Sequence, residues 1–193
     1  MIVSNNSINS SKSYDKLNHD KADEIISSNP GSFIFNQFKN NANPMAHYLT
    51  TGPEIFNDCK NVNFVFAGIG TGGTISGIGK YLKEVKPDTH IIGVEPEESP
   101  LITKGFACSH KIQGIGANFI PETYLNEYVD EVITVKGDEA IDCAKQIREI
   151  EDIDIGISSG AALKSALNYI EKFKINSGNI VVIFPDKGDR YKW

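Results

Sequence analysis

One stretch limits the possible folds more than any other. Val62 to Ala67 (VNFVFA) is an apolar run of strand length, Gly68 to Gly73 is a glycine-rich turn, and Thr74 to Val85 has helical periodicity. Pro87-Asp88 then turns the chain into a second apolar run, His90 to Glu95. A crossover of this length predicts parallel pairing, because two strands running the same way need a connection of a dozen residues or more. The alternation continues downstream. Glu131 to Val135 reads as a strand, Asp138 to Glu149 as an amphipathic helix, Ala161 to Phe173 as a helix and Asn179 to Phe184 as a last buried strand. The expected fold class is α/β, a mostly parallel twisted sheet flanked by helices.

Upstream the pattern is weaker. Residues 1–17 are polar and aperiodic and are expected to form a disordered arm, leaving residues 18–193 as the α/β domain. Ala22, Ile25 and Ile26 share a helical face, and Asn29-Pro30-Gly31 ends that helix. Ser32 to Gln37 is expected to be a short strand. Asn43-Pro44 is expected to cap the next helix, with proline at its first position. That helix should kink or restart at Gly52-Pro53. Residues 97–127 read as loops, with glycines at 105, 114 and 116.

Composition removes several functions. With 193 residues, 40% hydrophobic and 23% charged, the chain has the profile of one soluble domain. A net charge of -6, with basic residues scattered, offers no surface to neutralise a run of nucleic-acid phosphates. Apolar runs are too short to span a bilayer, so no membrane partner is expected. Cys59, Cys108 and Cys143 are far apart and without metal-type spacing, and the expected compartment is the cytoplasm. His19, His47, His90 and His110 show no ligand spacing, and surface or core roles are expected for all four.

Gly70-Thr71-Gly72-Gly73-Thr74 sits where a strand meets a helix. Glycines let the backbone approach an anion, helix-start amides point outward, and two threonine hydroxyls add donors. A plain tight turn needs fewer such residues, so anion binding is the better reading. Gly68, Gly70 and Gly73 also satisfy G-x-G-x-x-G, and Glu95 ends the next strand where a dinucleotide fold holds the ribose. On this unit alone, NAD remains an alternative.

Seven segments arbitrate by resemblance. NQFKNNANP, TTGPEIF, GTGGT, VEPEESP, KIQGIGA, GISSGAA and FPDKGDRY follow in this order between about Lys21 and Tyr191. Together they resemble the cysteine synthase (O-acetylserine sulfhydrylase) and cystathionine β-synthase family of tryptophan-synthase-β-like, pyridoxal-phosphate-dependent enzymes. The resemblance implies the C-terminal part of a fold-type II enzyme with pyridoxal 5'-phosphate as cofactor. It also implies a small amino-acid substrate, and a homo-oligomer for the intact protein. The family reaction replaces the O-acetyl group of O-acetylserine with sulfide.

The resemblance also implies roles. Gly70, Thr71, Gly72, Gly73 and Thr74 would cup the cofactor phosphate. Ser158 would meet the pyridine nitrogen, where a hydroxyl leaves the ring neutral and thus a milder electron sink. Ser158 could equally cap the helix that follows. Pro185 and Asp186 would lie beside the pyridine edge. Gln37 would bind the substrate carboxylate, and Gly114, Ile115, Gly116 and Ala117 would close near the substrate. Asn118 stands where the family often has glycine, which bears on loop geometry or substrate choice. PDKGDRY and MAHY lean towards the second, more permissive cysteine synthase type, and the glycine loop and KIQGIGA towards the first.

No segment resembles the family stretch bearing the lysine that holds the cofactor as a Schiff base, nor its Ser/Thr-Gly-Asn segment. The expectation is therefore a truncated protein with no catalytic residue of its own, inactive until complemented by the lysine-bearing half. The other reading is a non-catalytic partner of a full-length relative.

Overall fold

The computed structural model describes residues 21–191. Compact packing divides the chain into two units, with the boundary between Asn36 and Gln37. The arm expected over residues 1–17, and His19, lie outside the described residues.

In the first unit, residues 21–28 are helical (α1). Lys21 and Glu24 pair across one turn at 2.7 Å, and Gly31 takes a positive φ of +90° after the helix ends. The strand expected from Ser32 to Gln37 does not form. Residues 32–36 have no ladder partner among the described residues, and Asn36 has a φ of +47°, which breaks an extended run. An apolar run acquires strand character only beside another strand. Phe33 and Phe35 instead stack edge to face at 4.8 Å on the surface.

In the second unit the order is α2 (Ala42–Leu49), α3 (Thr51–Asp58), β1 (Val62–Gly68), α4 (Gly73–Val85), β2 (His90–Pro96), α5 (Leu101–Lys104), β3 (Glu131–Val135), α6 (Gly137–Glu151), α7 (Ile157–Phe173) and β4 (Asn179–Val182). The four strands form one parallel sheet ordered β3-β2-β1-β4. The α/β class holds, and the expected restart near Gly52-Pro53 is the break at Thr50 between α2 and α3.

The sequence of β1 explains its central place. Val65 and Ala67 belong to the cluster with Ile75, Ile78 and Leu82 of α4. Phe66 points the other way, packing with Ile92 and Ala166 of α7. Alternation that is apolar on both faces marks a strand buried between two helical layers. A third cluster joins Val94 and Val135 to Ala140, Ile157 and Ala161, and draws in Ile112 and Ile115 of the KIQGIGA loop. That loop is thereby held against the end of the sheet.

Two helix starts differ from expectation. The first residue of α2 is Ala42, and Asn40 Oδ1 accepts from its amide at 2.9 Å. Asn43 is thus inside the first turn, its side chain free for other work. Helix α7 starts at Ile157 with Gly156 as N-cap, so Ser158 lies one residue inside the helix and does not cap it.

Candidate functional site

The loop from β1 to α4 is held in shape by what surrounds it. Gly72 has a φ of +80°, and a Cβ there would come within 2.6 Å of Tyr124 Cβ. Gly70 and Gly73 have equally little room: a Cβ would overlap the Gly114 carbonyl in one case and the Asn43 carboxamide in the other. Neighbouring backbone and side chains therefore use the space that side chains would take, and within the loop the Gly73 amide donates to Thr71 Oγ1 at 3.3 Å. At the start of α4 the first N–H groups have no partner within the helix, and the dipole adds positive potential.

Four side chains outside the loop fix it. The carbonyl of Thr71 accepts from Thr123 Oγ1 at 2.6 Å. Asn43 Nδ2 donates to the Gln37 carbonyl at 2.8 Å and to Thr71 Oγ1 at 2.9 Å. His47 Nε2 lies 3.1 Å from Thr74 Oγ1, and its Nδ1 lies 2.9 Å from Thr51 Oγ1. Burial holds the His47 imidazole below its usual range, which favours the neutral ring. Ser76 Oγ accepts from the Leu125 amide at 2.8 Å and ties the segment bearing Thr123 and Tyr124 to α4.

These constraints border a cavity of about 160 Å³. At ~30 Å³ per water in the liquid it has room for about five waters. Of the residues expected from sequence, Gly70, Thr71, Gly72, Thr74, Ser158, Gly114, Ile115 and Pro185 line it together. Gly68 of the same turn, and Ala67 and Ile183, which the sequence did not suggest, complete the lining. Among the described residues that line it there is no lysine, arginine or carboxylate. An anion here meets hydroxyls, amides and a helix end.

The remaining expected residues stand elsewhere. Gly73 packs on Asn43 and does not line the cavity. Gln37 is exposed and outside the lining, although its carbonyl anchors Asn43. Gly116 and Ala117 border a separate crevice with Ile69 and Glu95. Gly116 is anchored there by its N–H to the Ile69 carbonyl at 2.9 Å, and its own carbonyl lies 3.0 Å from His110 Nε2. Asp186 is also outside the lining: its Oδ2 accepts from Tyr191 Oη at 2.6 Å, and its carbonyl accepts from the Gly156 amide at 3.0 Å.

Glu95 bears on the dinucleotide alternative. It is 2% exposed and accepts from the amides of Ile102 and Thr103, each at 2.9 Å, and from Thr103 Oγ1 at 2.5 Å. A carboxylate spent on the first turn of α5 is not available to a ribose.

Sequence reasoning misses Asn43, His47, Thr123 and Tyr124 as parts of the site. A surface or core role is all that the sequence suggests for His47, yet it borders the loop. A signal for two of them exists: Asn43 and His47 are four apart, so they share one face of α2. His90, by contrast, lies near Asp130 and Glu131, away from the cavity.

The fold and sequence have relatives. A family profile described as "Pyridoxal-phosphate dependent enzyme" matches residues 3–186. Cysteine synthase from Buchnera aphidicola (subspecies Acyrthosiphon pisum) is 47% identical over 181 residues, covering 89% of this chain and 58% of its own length. Cysteine synthase A from Escherichia coli K12 is 46% identical over 181 residues, covering 89% of this chain and 56% of its own. The chain thus spans a little over half the length of these relatives. Among solved structures, a hydrogen sulfide-producing enzyme from Fusobacterium nucleatum superposes with a TM-score of 0.88 at 38% identity, over 92% of this chain and 60% of that one. A cysteine synthase from Entamoeba histolytica gives 0.85 at 40% identity, over 90% and 52%.

Proposed function

The chain belongs to the pyridoxal-phosphate-dependent enzyme family, and we propose that its cavity at the end of β1 holds that cofactor by the phosphate within a cysteine synthase-like protein. One observation carries this reading: Thr71, Thr74 and the start of α4 share a cavity with Ser158 that has hydroxyl and amide donors and, among the described residues, no charged group. The donor set suits a phosphate dianion, and the glycines put no side chain between the loop backbone and the ligand. When bound, pyridoxal phosphate supplies an electron-withdrawing ring that eases loss of a proton and a β-substituent from an amino acid.

Gly70, Thr71, Gly72 and Thr74 bind and orient the phosphate in this proposal, and Gly73 serves by packing tightly on Asn43. Ser158 presents a neutral hydroxyl to the ring nitrogen. Pro185, Gly114 and Ile115 narrow the cavity and limit water. Gln37 and the Gly116-Ala117 segment act on the substrate, and Asp186 supports Pro185 from outside through Tyr191. The overall reaction proposed for the complete assembly is replacement of the O-acetyl group of O-acetylserine by sulfide, with acetate as the leaving group. Because no lysine is among the described residues that line the cavity, we propose that the lysine for that reaction comes from a complementing segment or a full-length relative. The described chain then does not turn over by itself.

Equilibrium dialysis of the purified chain with pyridoxal phosphate tests this. The expected result is weak binding, competed by inorganic phosphate, with no chromophore left after dialysis. Cysteine formation from O-acetylserine and sulfide should appear only when a lysine-bearing partner is added. A chromophore that survives dialysis would refute the need for an outside lysine. No binding at all would refute the phosphate cup.

A further inference from the structure

The threonine hydroxyls of the loop can help a phosphate only if their protons point into the cavity. Each hydroxyl has one proton and two acceptor positions. Thr71 Oγ1 already accepts twice, from Asn43 Nδ2 at 2.9 Å and from the Gly73 amide at 3.3 Å. Asn43 cannot be turned round, because its Nδ2 also serves the Gln37 carbonyl, which only accepts. With both acceptor positions filled, the Thr71 proton has to leave in another direction, and Thr71 lines the cavity.

Thr74 depends in the same way on His47. If the imidazole carried its proton on Nδ1, it would donate to Thr51, and Nε2 would take the Thr74 proton away from the cavity. If the proton is on Nε2, His47 donates to Thr74 Oγ1, Thr51 donates to Nδ1, and the Thr74 proton is released towards the cavity. The two contacts, 3.1 Å and 2.9 Å, permit either arrangement. Only the second lets Thr74 donate to an acceptor-only ligand.

We propose that α2 is a proton-orienting helix, on which Asn43 and His47 (as the Nε2–H tautomer) turn the hydroxyls of Thr71 and Thr74 into donors for a phosphate. The spacing is what makes this possible: residues four apart present two side chains one turn apart, and each meets one threonine of the loop. Burial, which keeps the His47 ring neutral, accords with a single ring proton whose position matters. Both are positioning residues that act through the threonines. The inference rests on the phosphate-cup reading but can fail separately from it.

The experiment has two arms on the full chain. The first measures affinity for pyridoxal phosphate and for pyridoxal, in wild type and in His47→Ala, His47→Gln, His47→Asn and Thr74→Val. Loss of one oriented donor should weaken pyridoxal phosphate binding about tenfold, in line with a hydrogen bond to a charged group, and leave pyridoxal binding unchanged. His47→Gln, whose amide nitrogen reaches the place of Nε2, should restore affinity to within about threefold, and the shorter His47→Asn should not. In the Thr74→Val background, His47→Ala should cause no further loss. An additive loss, or equal loss for pyridoxal, would overturn the proposal.

The second arm needs no cofactor. ¹⁵N NMR of the His47 ring should show a protonated Nε2 and a bare Nδ1, and the opposite tautomer would overturn the proposal. If wild type binds no pyridoxal phosphate, the cup reading fails, and the tautomer still decides the orientation of Thr74.

Discussion

Thr123 and Thr71 are 52 residues apart in sequence, and the hydroxyl of the first donates to the backbone carbonyl of the second at 2.6 Å. Thr123 is fully buried, so its hydroxyl has no water to bond to in place of this carbonyl. Thr123→Val keeps the shape and removes the hydrogen bond. It should cost about 1–3 kcal/mol, the usual penalty for a buried acceptor left unpaired. Urea unfolding measures that loss, and phosphate affinity should fall with it because Thr71 is no longer anchored.

Two glycines with nearly equal φ should respond differently to alanine. Gly72 (φ +80°) faces Tyr124, whereas a methyl added at Gly105 (φ +78°) would meet nothing within 4 Å. Gly105→Ala should therefore show backbone strain alone, about 1–2 kcal/mol. Gly72→Ala adds overpacking of about 1–3 kcal/mol and should also weaken phosphate binding. Equal losses in parallel thermal melts would show that Tyr124 yields without cost.

Glu95→Gln tests the anchor of α5. The carboxylate receives three donors, two of them amides of the short helix. Glutamine has to turn an NH₂ group towards one of them, at about 2–4 kcal/mol for the clash and the lost charge-assisted bonds. Hydrogen exchange at Ile102 and Thr103 should speed up by more than at α4. Uniform change across the chain would mean that Glu95 supports the whole sheet instead.

Alkaline pH offers a further test. Burial, and then the charge of Glu95, push the Tyr124 hydroxyl up to about 12. Burial followed by a carboxylate neighbour does the same for Tyr169 and Tyr191, each about 12. An unfolded tyrosine ionises near 10, so the unfolded chain loses these protons first as pH rises. Stability from these groups is complete below pH 10 and is lost as pH climbs from 10 towards 12. Denaturant midpoints should fall more steeply beyond pH 10 than below it. Tyr124→Phe should make the fall shallower.

Much of the fold is legible in the sequence because parallel strands announce themselves. Val62–Gly68 and His90–Pro96 are largely buried on both faces, and a continuous apolar run bounded by turns at strand length points to that environment. Ser32 to Gln37 has a similar apolar character and forms no strand, since such character does not say whether a neighbouring strand exists. The glycine loop is legible from local chemistry alone. Its supports are not: Thr123 reaches Thr71, and His47 reaches Thr74, through tertiary contacts that no spacing rule encodes. Asn43 resembles a cap because it precedes proline, and the competing claim of the Thr71 hydroxyl leaves no trace in the sequence. Helix α7 starts earlier than its apolar pattern suggests, because Gly156 is a weak capping signal beside two serines.

The strand order places β4 next to β1, and Asn179 bonds to Asn63, 116 residues earlier. During synthesis β1 therefore waits for its second neighbour until nearly all of the second unit has been made. Ile183 and Pro185, which closely follow β4, complete the wall of the cavity. Such a distant pairing is slow to close, and in the interval one edge of β1 is open to foreign strands. Capacity to capture a ligand is thus acquired last, and a chain interrupted before β4 has a glycine loop but no enclosed place for anything to bind.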